Sequence, residues 1–125
     1  MSRFALVIDD SRETADSLVQ MLALLGYETR VAYGPLRAIE GFTRRQPDVI
    51  LLDIHMPGLS GVEICRYLRR DPRTAHVPVV AISGDTQESL VASARAAGAN
   101  AFLPKPIDLE ALESALQTIF PPDEA

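Results

Sequence analysis

Cysteine is almost absent from this chain: Cys65 is the only one in 125 residues. No intramolecular disulfide can form, so packing must hold the fold, and a reducing compartment is expected, with the cytoplasm as default. Long hydrophobic runs are missing as well. The longest are strand-length, far short of the roughly 20 residues that span a membrane. Only Arg3 precedes the run from Phe4 to Ile8, which is too short for a signal-peptide core. Positive charge is the minority sign: 12 Lys and Arg against 17 Asp and Glu give a net charge of −5. The sequence pI is about 4.9. That balance argues against direct nucleic-acid or membrane partners. Repeats and low-complexity segments are missing too. What the chain does have is 47% hydrophobic residues, evenly spread. That is enough for one domain over 1–125, with a core from about 4 to 119 and a tail or linker remnant at 120–125.

The stretch from Asp48 to Gly61 organises the rest. Val49 to Leu52 is a continuous apolar run, as expected of a strand buried on both faces. Asp53 follows at once, and then Met56-Pro57-Gly58, a turn that must stop the strand. A carboxylate at the mouth of a buried strand is costly unless it meets a partner or water. For an isolated Asp, a loop acid or helix cap is the simpler reading. Polar residues at the ends of three other apolar runs overturn it.

Taken in order, Phe4 to Ile8 reads as a buried strand ended by Asp9 and Asp10. From Ser11 the period changes, and Ala15, Leu18, Val19, Leu22 and Leu25 share one helical face that Gly26 terminates. Tyr27, Thr29 and Val31 alternate as in an edge strand. Pro35 opens a second helix with Leu36, Ile39 and Phe42 inward, closed by Arg44, Arg45 and Gln46-Pro47. After the central strand, Val62, Cys65 and Leu68 face inward on a third helix, stopped by Asp71-Pro72. Pro78 to Ile82 is a further buried run ending at Ser83-Gly84-Asp85. Thr86 to Ala97 reads as a fourth helix with Leu90, Val91 and Ala94 on its apolar side. Ala101 to Leu103 is a short fifth strand, followed by Pro104-Lys105-Pro106. Asp108 caps the last helix, with Ile107 and Leu112 at the staple positions and Leu109, Leu112, Leu116 and Ile119 as its buried face. The pairs Arg44-Arg45 and Arg69-Arg70 read as solvated helix ends. Cys65 reads as a small core residue and His76 as a solvated turn residue.

Strand and helix alternate five times with short connections, which specifies an α/β domain: a parallel sheet with helices on both faces. The common strand order for five such units is the flavodoxin-like, doubly wound 2-1-3-4-5, and ligands bind at the carboxyl ends of the strands where the order reverses. Asp9, Asp10, Asp53, Ser83 and Lys105 then lie on one sheet edge. Crowded carboxylates raise one another's pKa unless a cation is present, and hard oxygen ligands suit Mg²⁺. A lysine and a hydroxyl supply what an incoming phosphoryl oxygen needs. The residues thus suit a metal-assisted phosphoryl group on a carboxylate, with Asp53 as nucleophile.

From about Phe4 to Ile119 the chain resembles the receiver domain of two-component response regulators. The resemblance rests on the acid pair after strand one, Asp53 with Met56-Pro57-Gly58 and Gly61, Ser83 with Gly84, and Phe102 with Lys105-Pro106. It implies a phosphorelay switch that accepts a phosphoryl group on Asp53 from a sensor histidine kinase or phosphotransfer protein. It further implies Mg²⁺ bound by Asp10 and Asp53, by the His55 backbone carbonyl, and by Asp9 through water. Lys105 pairs with Asp53 and then with the phosphoryl oxygens. Ser83 stands at the switch hydroxyl and Phe102 at the switch aromatic. The Lys105-Pro106 bond is similar to one that is cis in the family. Output to a downstream protein or a second copy is expected through the fourth helix, fifth strand and fifth helix. Two other classes differ from this pattern. A phosphatase of the haloacid-dehalogenase type expects a second Asp two residues after the nucleophile, where this chain has His55. A degenerate receiver-like interaction module usually lacks part of the acid cluster or the lysine, and both are present here. Self-phosphorylation and autodephosphorylation chemistry, rather than enzyme turnover, is therefore expected.

Overall fold

The computed structural model describes residues 2–34, 45–55 and 60–121. Apolar runs with no polar face become strands, because only a two-sided core can cover them. They are β1 (Phe4–Ile8), β3 (Val49–Asp53) and β4 (Val79–Ser83), every residue of which is buried. β2 (Glu28–Ala32) alternates exposed and half-buried positions before ending buried, as an edge strand should, and β5 (Ala101–Pro104) forms the other edge. All pairings are parallel in the order β2-β1-β3-β4-β5. The expected fold class and strand order are both present.

Side chains alternate across this sheet and feed two cores. On one face Val7, Leu51 and Ile82 pack against α1 (Arg12–Leu24) and α4 (Leu109–Ile119) through Leu18, Leu22, Leu112 and Leu116. On the other, Ile8, Leu52 and Ala81 meet α2 (Gly61–Arg70) and α3 (Glu88–Ala96) through Ile64, Cys65, Leu68 and Ala94. Gly26, at a φ of 89°, turns the chain after α1 in a conformation that glycine adopts without steric cost. The expected second helix, with Leu36, Ile39, Phe42 and Arg44, lies outside the described residues, as do Met56-Pro57-Gly58 and most of the tail.

Three expectations are corrected. Leu109 does not join the buried face of α4; it is an exposed large hydrophobic. It is the first helical residue after the Asp108 cap, where the chain has only just left the loop. The helix expected from Thr86 begins at Glu88, because Asp85 and Gln87 spend their backbone N–H groups on side chains. Such local bonds hold a segment out of the helix. Finally, Arg69 is not a solvated helix end. Its guanidinium donates to the carbonyls of Gly98, Thr74, Ala75 and Val77 and to Asn100 Oδ1. Arg70 is exposed as expected, and Arg45 pairs with Glu28 in solvent while lying over the Phe4 ring. Cys65 is buried and His76 exposed, also as expected.

Candidate functional site

Four of the five strands, β1, β3, β4 and β5, hand a polar residue to the carboxyl edge where the apolar run ends. Asp9 leaves β1 still under the sheet and is 1% exposed, whereas Asp10 reaches solvent. Asp9 Oδ1 accepts the Ser11 N–H at 2.8 Å, and Ser11 caps α1. Asp9 Oδ2 is buried and has no hydrogen-bond partner among the described residues. Asp53, the last residue of β3, is 2% exposed. Its Oδ1 accepts the His55 N–H at 3.0 Å, and its Oδ2 accepts from Lys105 Nζ at 3.3 Å. The same ammonium stands 3.7 Å from Asp9 Oδ2.

Lys105 is set in place by its own backbone: its N–H donates to the Ser83 carbonyl at 2.9 Å, and the Lys105-Pro106 bond is cis. Ser83 is fully buried at the end of β4 beside Pro104. Its Oγ accepts the Asp85 N–H at 2.9 Å. Phe102 is half-buried and, with Leu90, packs against the core on the α2 and α3 side. The His55 imidazole is exposed, with Nε2 4.0 Å from Asp85 Oδ2.

Ligand oxygens of Asp9, Asp10 and Asp53 all lie within 4.8 Å of one another. Three carboxylates face one lysine, so the described cluster carries excess negative charge in a partly dry setting. Burial is the main cause that pushes the Asp9 pKa up to about 6; the Ser11 N–H opposes it, the Asp53 charge adds to it and Lys105 opposes it. An orphaned buried carboxylate oxygen in a set of hard oxygen donors fits a divalent cation of the Mg²⁺ kind.

The structure therefore brings Asp9, Asp10, Asp53 and Lys105 together, and puts Ser83 and His55 on the same sheet edge. Sequence reasoning places Gly61 in the motif without its steric role, and gives Asp85, a neighbour of the site, no role. Gly61 lies so close under the site that a Cβ would stand 2.3 Å from Ile54 Cα and 2.7 Å from the Asp53 carbonyl oxygen. Asp85 joins Ser83 to the start of α3; its signal was the spacing Ser83, Asp85, Gln87, in which alternate residues can form successive side-chain turns.

Buried acids and a lysine at the strand ends of a doubly wound α/β domain are suited to holding a phosphoryl group. The chain belongs to the response regulator receiver domain family, whose sequence model matches residues 5–117. It is 34% identical over 119 residues to Response regulator MprA of Mycobacterium ulcerans, covering 95% of this chain and 50% of that protein. The chain spans about half the length, or less, of the curated relatives it matches. Among solved structures it is similar to the chemotaxis protein CheY4 of Vibrio cholerae, with a TM-score of 0.89 and 26% identity over 95% of this chain and 99% of that one. It is also similar to the receiver domain of sensor histidine kinase PA1611 of Pseudomonas aeruginosa. There the TM-score is 0.85 and the identity 25%, over 94% of this chain and 97% of that one. That neighbour has a magnesium ion coordinated in its active-site cleft. The general role of the family is a phosphorylation switch in two-component signalling. Among the described residues, no helix is long and apolar enough to cross a membrane.

Proposed function

We propose that Asp53 is the phosphoacceptor of this receiver domain and that Asp9, Asp10, Asp53 and the His55 backbone carbonyl hold Mg²⁺. The observation that carries the reading is the Lys105 ammonium set between the buried Asp53 and Asp9 carboxylates, at 3.3 and 3.7 Å. Among the described residues, Asp9 Oδ2 keeps no hydrogen bond. The donor is a phosphohistidine of a sensor histidine kinase or phosphotransfer protein. An Asp53 carboxylate oxygen attacks phosphorus, the P–N bond breaks as the P–O bond forms, and the leaving imidazole keeps the electron pair and takes a proton from water. When bound, the cation supplies positive charge against the phosphoryl oxygens.

The chain's own residues do the rest. The His55 N–H fixes the Asp53 carboxylate through Oδ1. Lys105, its bond to Asp53 Oδ2 given up, moves its charge to a phosphoryl oxygen, and the Ser83 hydroxyl donates to another. Both contacts exist only in the phosphorylated state, so they can shift a two-state equilibrium. The output surface is α3, β5 and α4, with Phe102 turning further inward as Ser83 is drawn toward the site. A downstream protein or a second copy binds there. Turnover is confined to self-phosphorylation and autodephosphorylation, and the location is cytoplasmic, where Cys65 stays reduced.

Mass spectrometry after incubation with a small phosphodonor and Mg²⁺ tests the reading. One labile acyl phosphate is expected on the wild type and none on Asp53→Asn. Equal uptake by that variant removes Asp53 from its role. Beryllofluoride with Mg²⁺, whose fluorides stand in for the phosphoryl oxygens, is expected to shift amide resonances across α3, β5 and α4. A response confined to the loops of Asp9, Asp53 and Lys105 would leave phosphate binding without a switch.

A further inference from the structure

The two ends of α3 are held by different means. At its carboxyl end, Ala94, Ala97 and Ala99 are buried, and the Ala99 N–H returns to the Ala94 carbonyl. The Gly98 carbonyl accepts Arg69 Nε at 3.2 Å and Nη2 at 2.8 Å. Asn100 Oδ1 accepts both Arg69 Nη2 and the Val79 N–H at 2.9 Å. This end is tied to α2 and to β4.

The amino end is held more lightly: in its first turn only the half-buried Leu90 packs against the core. Ser11, Ser60 and Asp108 cap the other three described helices with side-chain bonds, but Gln87 makes none. Glu88 and Ser89 are exposed, and Ala94 is the one buried residue of the helix. Besides Leu90, a pair of consecutive turns holds this end. Ser83 Oγ accepts the Asp85 N–H at 2.9 Å, and Asp85 Oδ1 accepts the Gln87 N–H at 3.0 Å. The Gln87 carbonyl then receives the Leu90 and Val91 N–H groups at 3.1 Å and starts the first helical turn.

We propose that Asp85 is the positioning residue that links Ser83 to α3, and that Arg69 makes the far end of that helix its fulcrum. The proposal rests on the reading of Ser83 as the residue that meets the phosphoryl group. A serine hydroxyl that accepts one N–H still has its own hydrogen to donate. Ser83 therefore keeps hold of Asp85 while it bonds a phosphoryl oxygen. Displacement of Ser83 carries the Asp85 backbone, the Asp85 carboxylate carries the Gln87 N–H, and the uncapped, mostly exposed amino end of α3 follows. The clamped carboxyl end cannot translate with it, so the helix swings rather than slides. Asp85 Oδ2 faces the His55 imidazole at 4.0 Å, which is too long for a hydrogen bond, so the link runs through Oδ1.

Two substitutions separate the link from mere charge. Asp85→Asn keeps an Oδ1 acceptor for the Gln87 N–H, and Asp85→Ala removes it. Acyl phosphate formation is measured by mass spectrometry, and hydrogen exchange of the amides from Gln87 to Val91 is measured with and without beryllofluoride and Mg²⁺. In the free protein, Asp85→Ala is expected to speed that exchange about five- to tenfold, the loss of one hydrogen bond. It is also expected to take up the phosphoryl group normally yet lose the exchange response of α3, while Asp85→Asn behaves as wild type on every count. Amides near Gly98 are expected to stay unchanged in all three proteins. Normal uptake with a full α3 response in Asp85→Ala overturns the link. Failure of Asp85→Asn to restore the response also overturns it, because charge would then be the agent. Absence of acyl phosphate from the wild type is a separate outcome that overturns the phosphoacceptor reading, and the coupling with it.

Discussion

Arg69 and Asp9 are charged side chains at opposite ends of the same sheet, and they have opposite fates. Arg69 stands at the amino end of β4 and β5, and its Nε, Nη1 and Nη2 all donate to backbone carbonyls or to Asn100. Asp9 stands at the carboxyl end, with one oxygen bonded to Ser11 and the other, 3.7 Å from Lys105 Nζ, without a hydrogen bond among the described residues. A charge with all its donors used holds its surroundings in one arrangement, whereas a buried carboxylate short of hydrogen bonds lowers the stability of its surroundings. The amino end is finished as structure. The carboxyl end keeps an electrostatic strain.

If this contrast is right, the largest loss comes from filling space that the carboxyl end keeps open for close backbone approach. In Gly61→Ala the new Cβ meets the backbone of Ile54 and Asp53 at 2.3 and 2.7 Å. Neither is the end of a flexible side chain, so β3 and α2 must separate. Urea denaturation is expected to show a loss of about 3–4 kcal/mol. A loss below about 1 kcal/mol would mean that the approach is not tight.

Next in size is the amino-end clamp. Arg69→Met keeps much of the stem but strips the donors from Gly98, Val77 and Asn100, and a loss of about 2–3 kcal/mol is expected. Arg69→Lys is expected to recover less than half, because a point charge cannot serve carbonyls on two sides as the planar fork does. Phosphoryl uptake by either variant is expected to match wild type under conditions where it is folded. A defect in uptake as large as the defect in stability would erase the division between the two ends.

Most of the fold, and the makeup of the site, could be read from the sequence because each depends on local signals. Buried strands announce themselves as unbroken apolar runs, and Asp9, Asp53, Ser83 and Lys105 sit where those runs stop. Arg69 could not be read in that way. Its carbonyl partner at Gly98 is 29 residues away, and an Arg pair at a helix end looks the same whether it is solvated or clamped. Leu109 misled for a related reason: helical periodicity assigns it to the buried face, but periodicity has no hold on the first residue after a cap. The inequality of Asp9 and Asp10, one buried and one exposed, depends on where β1 ends under its neighbours, which two adjacent carboxylates do not disclose.

A smaller effect, opposite in sign, is expected from Asp9→Asn. The folded-state pKa of Asp9 is raised from 3.8 to about 6, so the fold favours the protonated acid. That preference stabilises the protein fully below about pH 4 and is lost as pH rises through about 6. Without divalent cations, the wild type is therefore expected to fall behind Asp9→Asn by on the order of 2 kcal/mol between pH 4 and pH 8. Denaturation midpoints at the two pH values measure it. Parallel pH profiles for the two proteins would show that the carboxylate is not strained.

Mg²⁺ is expected to give the smallest shift and the sharpest discrimination between the two ends. A ligand that binds only the folded state stabilises it by about 1.4 kcal/mol at ten times its dissociation constant. Only the folded state gathers Asp9, Asp10 and Asp53 within reach of one ion. The expected rise in melting temperature should be near full at pH 8. It should fade toward pH 5, because Asp9 takes up a proton there and its orphaned oxygen no longer calls for a cation. Asp10→Ala is expected to reduce the rise more than Asp9→Ala, as the proposed direct ligand should against one acting through water. Arg69→Met, though far less stable at the outset, is expected to keep the whole Mg²⁺ increment, since its clamp lies at the other end of the sheet. An increment independent of pH and equal in all four proteins would mean that the ion binds elsewhere. An increment lost in Arg69→Met would mean that the two ends of the sheet are not independent.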